Sequence, residues 1–284
     1  MTFEKLLKTL NPLNDGYTKG VLKELILFNS KIIKNSSDIF FEKDSEIDFD
    51  YQKINKQLNK VLIKNIPVAY ITHSYSFFGL DFYINKGVFI PRQETEFILD
   101  WVLNQKHLQD KKYILDLCSG SGVLANTIAY IKQKKDVAVI GVEKYLKPYL
   151  VAKKNQKRLQ LKTKFIHCDM FKLNKTHYQK CDFIICNPPY IAYGDKFVDD
   201  STKKEPKNAL YSGVKGTEFY ERFLVEIYPI LSDGVKIVFE IGFNQKEMLE
   251  TFLNKNNFRN YSFLKDMNQN YRILFMEKTN GSAK

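Results

Sequence analysis

Tyr113-Ile-Leu-Asp-Leu-Cys-Ser-Gly-Ser-Gly122 is a short apolar run followed at once by a loop with two glycines. A helical pattern follows it, from Val123 to Ile131. Strand, tight loop and helix in that order suggest one half of a parallel βαβ unit. The same texture recurs downstream. Val137–Val142 reads as a second strand ending in Glu143, with a helix running through Leu150 and Ala152. Lys164–Cys168, Asp182–Cys186 and Val235–Glu240 read as three more strands, and 261–264 with 271–276 as a closing antiparallel pair. The expected fold class is α/β: a mostly parallel twisted sheet, helices on both faces and an antiparallel last strand.

Upstream the pattern is different. Residues 1–70 carry helical periodicity in Phe3, Leu6, Leu7 and Leu10, in Val21, Leu22, Leu25, Ile26 and Leu27, and in Ile54, Leu58, Val61 and Leu62. A small helical bundle is expected there, with polar connections such as Asn35–Asp38. Tyr75–Ile84 is aromatic and strand-like around Gly79, which suggests a hairpin. The expected organisation is a bundle over 1–70, a hairpin linker over 71–91 and a main domain over 92–284.

The chain has 284 residues, 44% hydrophobic and 27% charged, which is enough apolar sequence for a sizeable core. Its net charge of +12 permits an acidic partner or nucleic acid, but the basic residues are scattered rather than blocked, which favours a solvated Lys-rich surface. Cys118, Cys168, Cys181 and Cys186 form no CxxC pair and have no histidine at ligand spacing, which argues against a metal site or a disulfide framework. The first residues lack the apolar core of a secretory leader, and no run approaches the ~18 apolar residues of a membrane span. A soluble cytoplasmic protein without metal or membrane is expected.

Ligands of open α/β sheets bind beyond the carboxyl ends of the strands, and four of these strands end there in unusual residues. The loop Cys118-Ser119-Gly120-Ser121-Gly122 opens a helix, where backbone N–H groups can meet an anion. Glu143 follows about 20 residues later, where a carboxylate can accept from ribose hydroxyls. Asp169-Met170 can read an adenine, and Asp169 can equally cap a helix. Finally, Ile184-Ile-Cys-Asn-Pro-Pro-Tyr-Ile191 stops an apolar strand with two prolines. Asn187 offers a side-chain carbonyl, Pro188 a carbonyl without an N–H, and Tyr190 an aromatic face. Two acceptors beside a flat ring, on a corner stiffened by Pro188 and Pro189, suit a planar –NH2 group.

Asp116–Gly122, Glu143 and Asn187-Pro-Pro-Tyr190 together resemble S-adenosylmethionine-dependent methyltransferases with a Rossmann-like fold, and NPPY is similar to the motif of those that methylate planar nitrogens. Pro67–Ile71, Phe78–Phe82 and Val88–Glu96 resemble the segment before the catalytic domain in the HemK (PrmC) family. Glu205–Leu210 with Gly213 and Gly216, Phe239–Gly242 with Gln245, and Asp266 with Arg272 resemble its later signatures. The resemblance runs from about 67 to 276. It implies methyl transfer to N5 of the glutamine in the GGQ motif of class I peptide chain release factors. S-adenosyl-L-methionine would bind at Cys118–Gly122, Glu143, Asp169, Met170 and Asn187. Asn187, Pro188 and Tyr190 would be catalytic, and Asn187–Tyr190 would hold the substrate. The bundle would dock the release factor, and nucleic acid would not be required. Against the usual pattern, Cys118, His73 and Gln269 stand where glycine is common, Glu143 replaces Asp, and Met170 replaces an aromatic. NPPY also permits a DNA adenine-N6 methyltransferase, a ribosomal-protein glutamine methyltransferase, or a module that only binds the cofactor.

Overall fold

The structure is a computed structural model that describes residues 2–11, 15–30, 50–104, 113–132, 137–196 and 198–279. The connection expected at Asn35–Asp38 lies outside these residues. The chain divides into two compact units, Met1–Ser74 with Val198–Lys204, and Tyr75–Phe197 with Glu205–Lys284.

The first unit contains helices α1 (Phe3–Leu10), α2 (Gly16–Asn29), α3 (Tyr51–Leu62) and α4 (Val68–Thr72). Asp15 and Asp50 start α2 and α3 by accepting from the N–H groups of Thr18 and Lys53, at 2.8 and 2.9 Å, which satisfies donors that a helix start leaves open. Leu6, Val21, Leu22, Leu25, Ile26, Ile54, Leu58 and Val61 form its core. The 3.6-residue stripes predict these positions because only one face of each helix is covered. Leu62 falls off the stripe of α3 and is exposed.

A hairpin, β1 (Ser74–Phe77) and β2 (Leu80–Tyr83), follows, all but its first residue in the second unit. Its two-residue turn, Phe78-Gly79, has positive φ at both positions, as the twist of a tight hairpin requires. Phe77 and Phe82 meet edge to face and are fully buried with Ile98, Leu99 and Val102 of α5 (Gln93–Asn104). There follow β3 (Tyr113–Leu117), α6 (Val123–Ile131), β4 (Ala138–Glu143), α7 (Leu146–Arg158), β5 (Lys164–His167), α8 (Lys175–Lys180) and β6 (Phe183–Cys186). The chain continues through α9 (Lys207–Leu210), α10 (Glu218–Glu226), β7 (Lys236–Glu240), α11 (Lys246–Lys255), β8 (Tyr261–Lys265) and β9 (Tyr271–Glu277).

The sheet order is β5-β4-β3-β6-β7-β9-β8. The first five strands are parallel, and β9 runs antiparallel to both neighbours. Alternate residues of each strand enter opposite cores. Leu115, Val142, Ile184 and Phe239 pack with Tyr178, Tyr220 and Phe223 on one face, while Ile114, Val139, Ile185 and Val238 pack with Leu99, Leu124 and Ile128 on the other. Burial on both faces is why these strands read as continuous apolar runs. The chain builds β3, β4 and β5 outward in one direction, then crosses back to place β6 on the other side of β3. That reversal creates a crevice beyond the carboxyl ends of β3 and β6. Among the described residues no helix is long and apolar enough to cross a membrane, and no cluster of side chains could hold a metal ion.

Gly141 in β4 lets the ring of Phe165 from β5 lie against the strand. A Cβ there would stand 2.4 Å from the ring. Gly141→Ala is expected to lower stability by about 1–3 kcal/mol through overpacking, read as a lower urea midpoint. Adding Phe165→Leu should recover part of the loss.

Candidate active site

Each strand of the parallel set delivers a polar residue to the same edge. The loop after β3 turns through Cys118, Gly120 and Gly122, with φ of 59°, 56° and 79°. Cys118 therefore adopts the left-handed conformation, a cost of about 1–2 kcal/mol for a residue with a Cβ. His73 and Gln269 do the same at φ 54° and 64°, so all three residues that replace an expected glycine keep glycine's backbone. Gly120 faces open space, since the nearest atom to a Cβ built there is the Cys118 carbonyl at 3.9 Å.

Two side chains hold this loop in place. Glu143 accepts from the Gly120 N–H at 2.9 Å and from the Tyr145 N–H at 2.7 Å. Burial raises its pKa, against the pull of those N–H groups. Asn155 is fully buried and donates to the carbonyls of Ser121 and Tyr83, while accepting from the Tyr83 N–H. The loop is thus tied to α7 and the hairpin. The N–H groups of Gly120 and Gly122 are used internally, the latter by Ser119. Those of Ser121, Val123 and Leu124 meet no acceptor among the described residues.

Asp116 lies beneath the loop with 1% of its surface exposed. One oxygen accepts from the Ala125 N–H at 3.0 Å, and the other has no partner. Burial raises its pKa to about 8, with nearby Glu143 adding to the rise. The buried Ser119 hydroxyl is also unpartnered. An unpaired buried carboxylate oxygen and hydroxyl beside an open glycine fit a ligand that carries a cation and hydrogen-bonding groups.

Asp169 caps the 3-10 turn Met170–Lys172 by accepting from Phe171 N–H at 3.1 Å, and pairs with Lys144 at 3.0 Å. Partial burial raises its pKa, but Lys144 and the cap outweigh this and hold it below the usual range. Met170 is buried in the core, where its carbonyl accepts from Tyr178.

NPPY follows β6. Leu117 is in register with Cys186, so Cys118 and Asn187 leave the sheet side by side. The backbone of Tyr190 and Ile191 donates twice to the Leu210 carbonyl, at 3.1 and 2.8 Å. The Tyr190 carbonyl accepts from Gln245 at 2.8 Å, and a Cβ at Gly216 would stand 2.4 Å from it. Only a glycine can pack that closely. The Tyr190 hydroxyl donates to Glu240 at 3.2 Å, and burial with this carboxylate raises its pKa. Asn187 donates through Nδ2 to Thr95 Oγ1 at 3.1 Å, and Thr95 donates to Glu240 at 2.7 Å. Among the described residues nothing donates to Asn187 Oδ1 or to the Pro188 carbonyl. Nearby, Glu205 accepts from Ile90 N–H at 2.9 Å and forms an ion pair with Arg92.

The structure therefore brings Cys118–Gly122, Glu143, Asp169 and Asn187–Tyr190 to one sheet edge, while Met170 points its side chain into the core. Thr95, Glu240 and Asn155 hold these groups, Glu205 holds the neighbouring segment at Ile90 and Arg92, and none of the four was given a role by sequence reasoning. Glu240 carried a usable signal, a carboxylate ending an apolar strand like Glu143. Thr95 carried none beyond its place at a helix start.

Residues 81–209 match the methyltransferase small domain family. A release factor glutamine methyltransferase from Clostridium botulinum is 33% identical over 240 residues, covering 83% of this chain and 82% of that protein. The chain belongs to the release factor glutamine methyltransferase family. Its counterpart from Mycoplasma mycoides is 32% identical over 269 residues, covering 88% and 95% of the two chains. Among solved structures, the hMettl16 catalytic domain bound to a MAT2A 3′UTR hairpin superposes with a TM-score of 0.58 at 13% identity, covering 93% and 91%. The T. thermophilus 16S rRNA N2 G1207 methyltransferase bound to AdoMet and guanosine gives a TM-score of 0.50 at 21% identity, covering 72% and 50%. These two likenesses concern the fold. Family membership makes this protein an S-adenosylmethionine-dependent methyltransferase, and the unpaired groups around Gly120 fit that cationic cofactor.

A carboxyl whose pKa is higher in the folded than in the unfolded chain binds more protons when folded. Its contribution is complete below about pH 4 and is lost as pH rises toward the folded value. For Asp116 that window extends to about 8. Without cofactor, Asp116→Asn should therefore gain stability relative to the parent as pH rises from about 4 to 8, read as a growing difference in urea midpoints.

Proposed function

We propose that this methyltransferase transfers a methyl group from S-adenosyl-L-methionine to N5 of the glutamine in the GGQ motif of class I peptide chain release factors, in the cytoplasm. One observation supports this above the rest. The –NH2 end of the Asn187 amide donates to Thr95, which leaves its oxygen and the adjacent Pro188 carbonyl as two unused acceptors. A primary amide has two N–H groups to give to such a pair, and the choice of a release-factor glutamine over another planar –NH2 group rests on the relatives named as release factor glutamine methyltransferases.

When bound, the cofactor supplies a methyl group already activated on a sulfonium. Asn187 and Pro188 accept the two amide hydrogens and orient the nitrogen. An amide nitrogen is a poor nucleophile because its lone pair is delocalised. Accepting both hydrogens favours a pyramidal, more electron-rich nitrogen, and fixed orientation is worth up to about 7–11 kcal/mol in the best cases. Tyr190, on a corner stiffened by Pro188 and Pro189, lies against the flat group. Alkylation makes the remaining N–H hydrogens strongly acidic, and one passes to bulk water after the new N–C bond forms, so no strong base is needed. Toward the cofactor, Cys118, Ser119, Gly120, Ser121 and Gly122 would hold the amino-acid part, Glu143 would accept from the ribose, and Asp169, Asn187 and the backbone of Met170 would border the remainder. The helical bundle docks the release factor, and nucleic acid is not required.

Mass spectrometry of a release factor incubated with enzyme and S-adenosylmethionine should show one added methyl on the GGQ glutamine. Asn187→Ala should lower kcat about 100-fold and change cofactor affinity little. Label appearing in DNA and not in the release factor would sink the proposal.

Tyr17 and Ile63 are 64% and 72% exposed on the bundle. Changing both to Ser should raise KM for the whole release factor about tenfold. The KM for a short GGQ peptide should not move, and an unchanged KM for the whole factor would refute docking there.

A further inference from the structure

The orientation of Asn187 depends on two residues that touch neither acceptor. Thr95 lies at the start of α5 and is 2% exposed. Its hydroxyl has one proton to give and lone pairs to receive with. The proton goes to Glu240 Oε2 at 2.7 Å, and the oxygen receives from Asn187 Nδ2 at 3.1 Å. Glu240 ends β7 and is 1% exposed. Its other oxygen receives from the Tyr190 hydroxyl at 3.2 Å.

An ionised carboxylate only accepts, so it commits both hydroxyl protons to itself. With its proton committed, Thr95 can only receive. The two ends of an asparagine amide are nearly the same size and differ in being donor or acceptor. A receiving hydroxyl selects the –NH2 end, and Oδ1 is turned the opposite way. Were the amide reversed, its –NH2 would face the –NH2 of the substrate, donor against donor.

We propose that Thr95 and Glu240 are positioning residues for methyl transfer: Glu240 directs the Thr95 hydroxyl proton, and Thr95 sets which end of the Asn187 amide faces the substrate. This rests on the reading of Asn187 as an acceptor for the substrate amide, and it adds two side chains that act through Asn187 and Tyr190.

The groups facing Glu240 come from every element packed against it. Thr95 and Glu94 lie on α5, Tyr190 on the loop after β6, Cys186 on β6 and Arg272 on β9, while Tyr220 of α10 donates to its backbone carbonyl. Arg272 is held by Asp266 at 3.0 Å and lies 3.8 Å from Glu94. Burial raises the Glu240 pKa to about 7, against Thr95, Tyr190 and Arg272, while Glu94 adds to the rise. A Glu240 protonated on Oε2 gives that hydrogen to Thr95 and frees the Thr95 hydroxyl's own proton, so in that form the selection of the amide end is lost. Turnover is therefore expected to fall as pH drops through the Glu240 pKa.

The test uses the full chain, S-adenosylmethionine and a release factor, with cofactor binding measured separately to confirm folded protein. Thr95→Val keeps the shape of Thr95 and removes its hydroxyl. It should lower kcat about 100-fold with KM for the cofactor nearly unchanged, and Thr95→Ser should restore kcat to within about fivefold of the parent. Glu240→Gln should lower kcat and lose the acid limb that the parent shows near neutral pH. Parental kcat in Thr95→Val, equal losses in Thr95→Val and Thr95→Ser, or an unchanged acid limb in Glu240→Gln would each overturn the proposal. Asn187→Ala is measured alongside. If it is inactive while Thr95→Val turns over normally, the positioning role alone fails. If it turns over normally, the reading of Asn187 fails and the positioning role with it.

Discussion

Four carboxylates, Asp116, Glu143, Glu205 and Glu240, lie around the carboxyl edge of the sheet with at most 6% of their surface exposed. A charge or polar atom removed from water needs donors, or the fold loses several kcal/mol. Each of these side chains meets that need by reaching a different segment. Glu143 takes the N–H groups of the glycine loop and of the chain entering α7. Glu205 takes Ile90 and Arg92, and Glu240 takes Thr95 and Tyr190. These bonds staple together loops whose own sequences would leave them loose. Asp116 is the exception, with one oxygen left over, and that oxygen marks where a ligand group is wanted.

Backbone shape at this edge is set by close contact as much as by residue type. The Gly216 Cα packs against the Tyr190 carbonyl, and Gly141 makes room for Phe165. Cys118 accepts a left-handed φ although it is not glycine, because Ser119 N–H bonds to Val142 on one side and the loop is held by Glu143 on the other. The strain is local, and the surrounding bonds over-determine it.

Much of the site was legible because its residues follow strands that the apolar pattern locates well. Once Tyr113–Leu117, Ala138–Glu143 and Phe183–Cys186 are placed as parallel neighbours, whatever follows each of them must gather at one edge. Glu143 and Asn187–Tyr190 were found in that way. Met170 was located as well, yet its side chain turned inward, since which way a residue in a short turn points depends on packing. Thr95 could not be found, because the carboxylate that its hydroxyl bonds lies 145 residues away.

By itself the sequence determined the alternation of strands and helices, the parallel core buried on both faces, the glycine loop and the stiff NPPY corner. These are local properties, carried by periodicity, turn chemistry and fixed proline angles within a few residues. Only the tertiary structure decided which donor each buried carboxylate takes, which end of the Asn187 amide is spent on Thr95, and which loop amides remain free. Hydrogen-bond partners separated by 50 to 145 residues are chosen by how the strands stack, and nothing in a local stretch of chain records that choice.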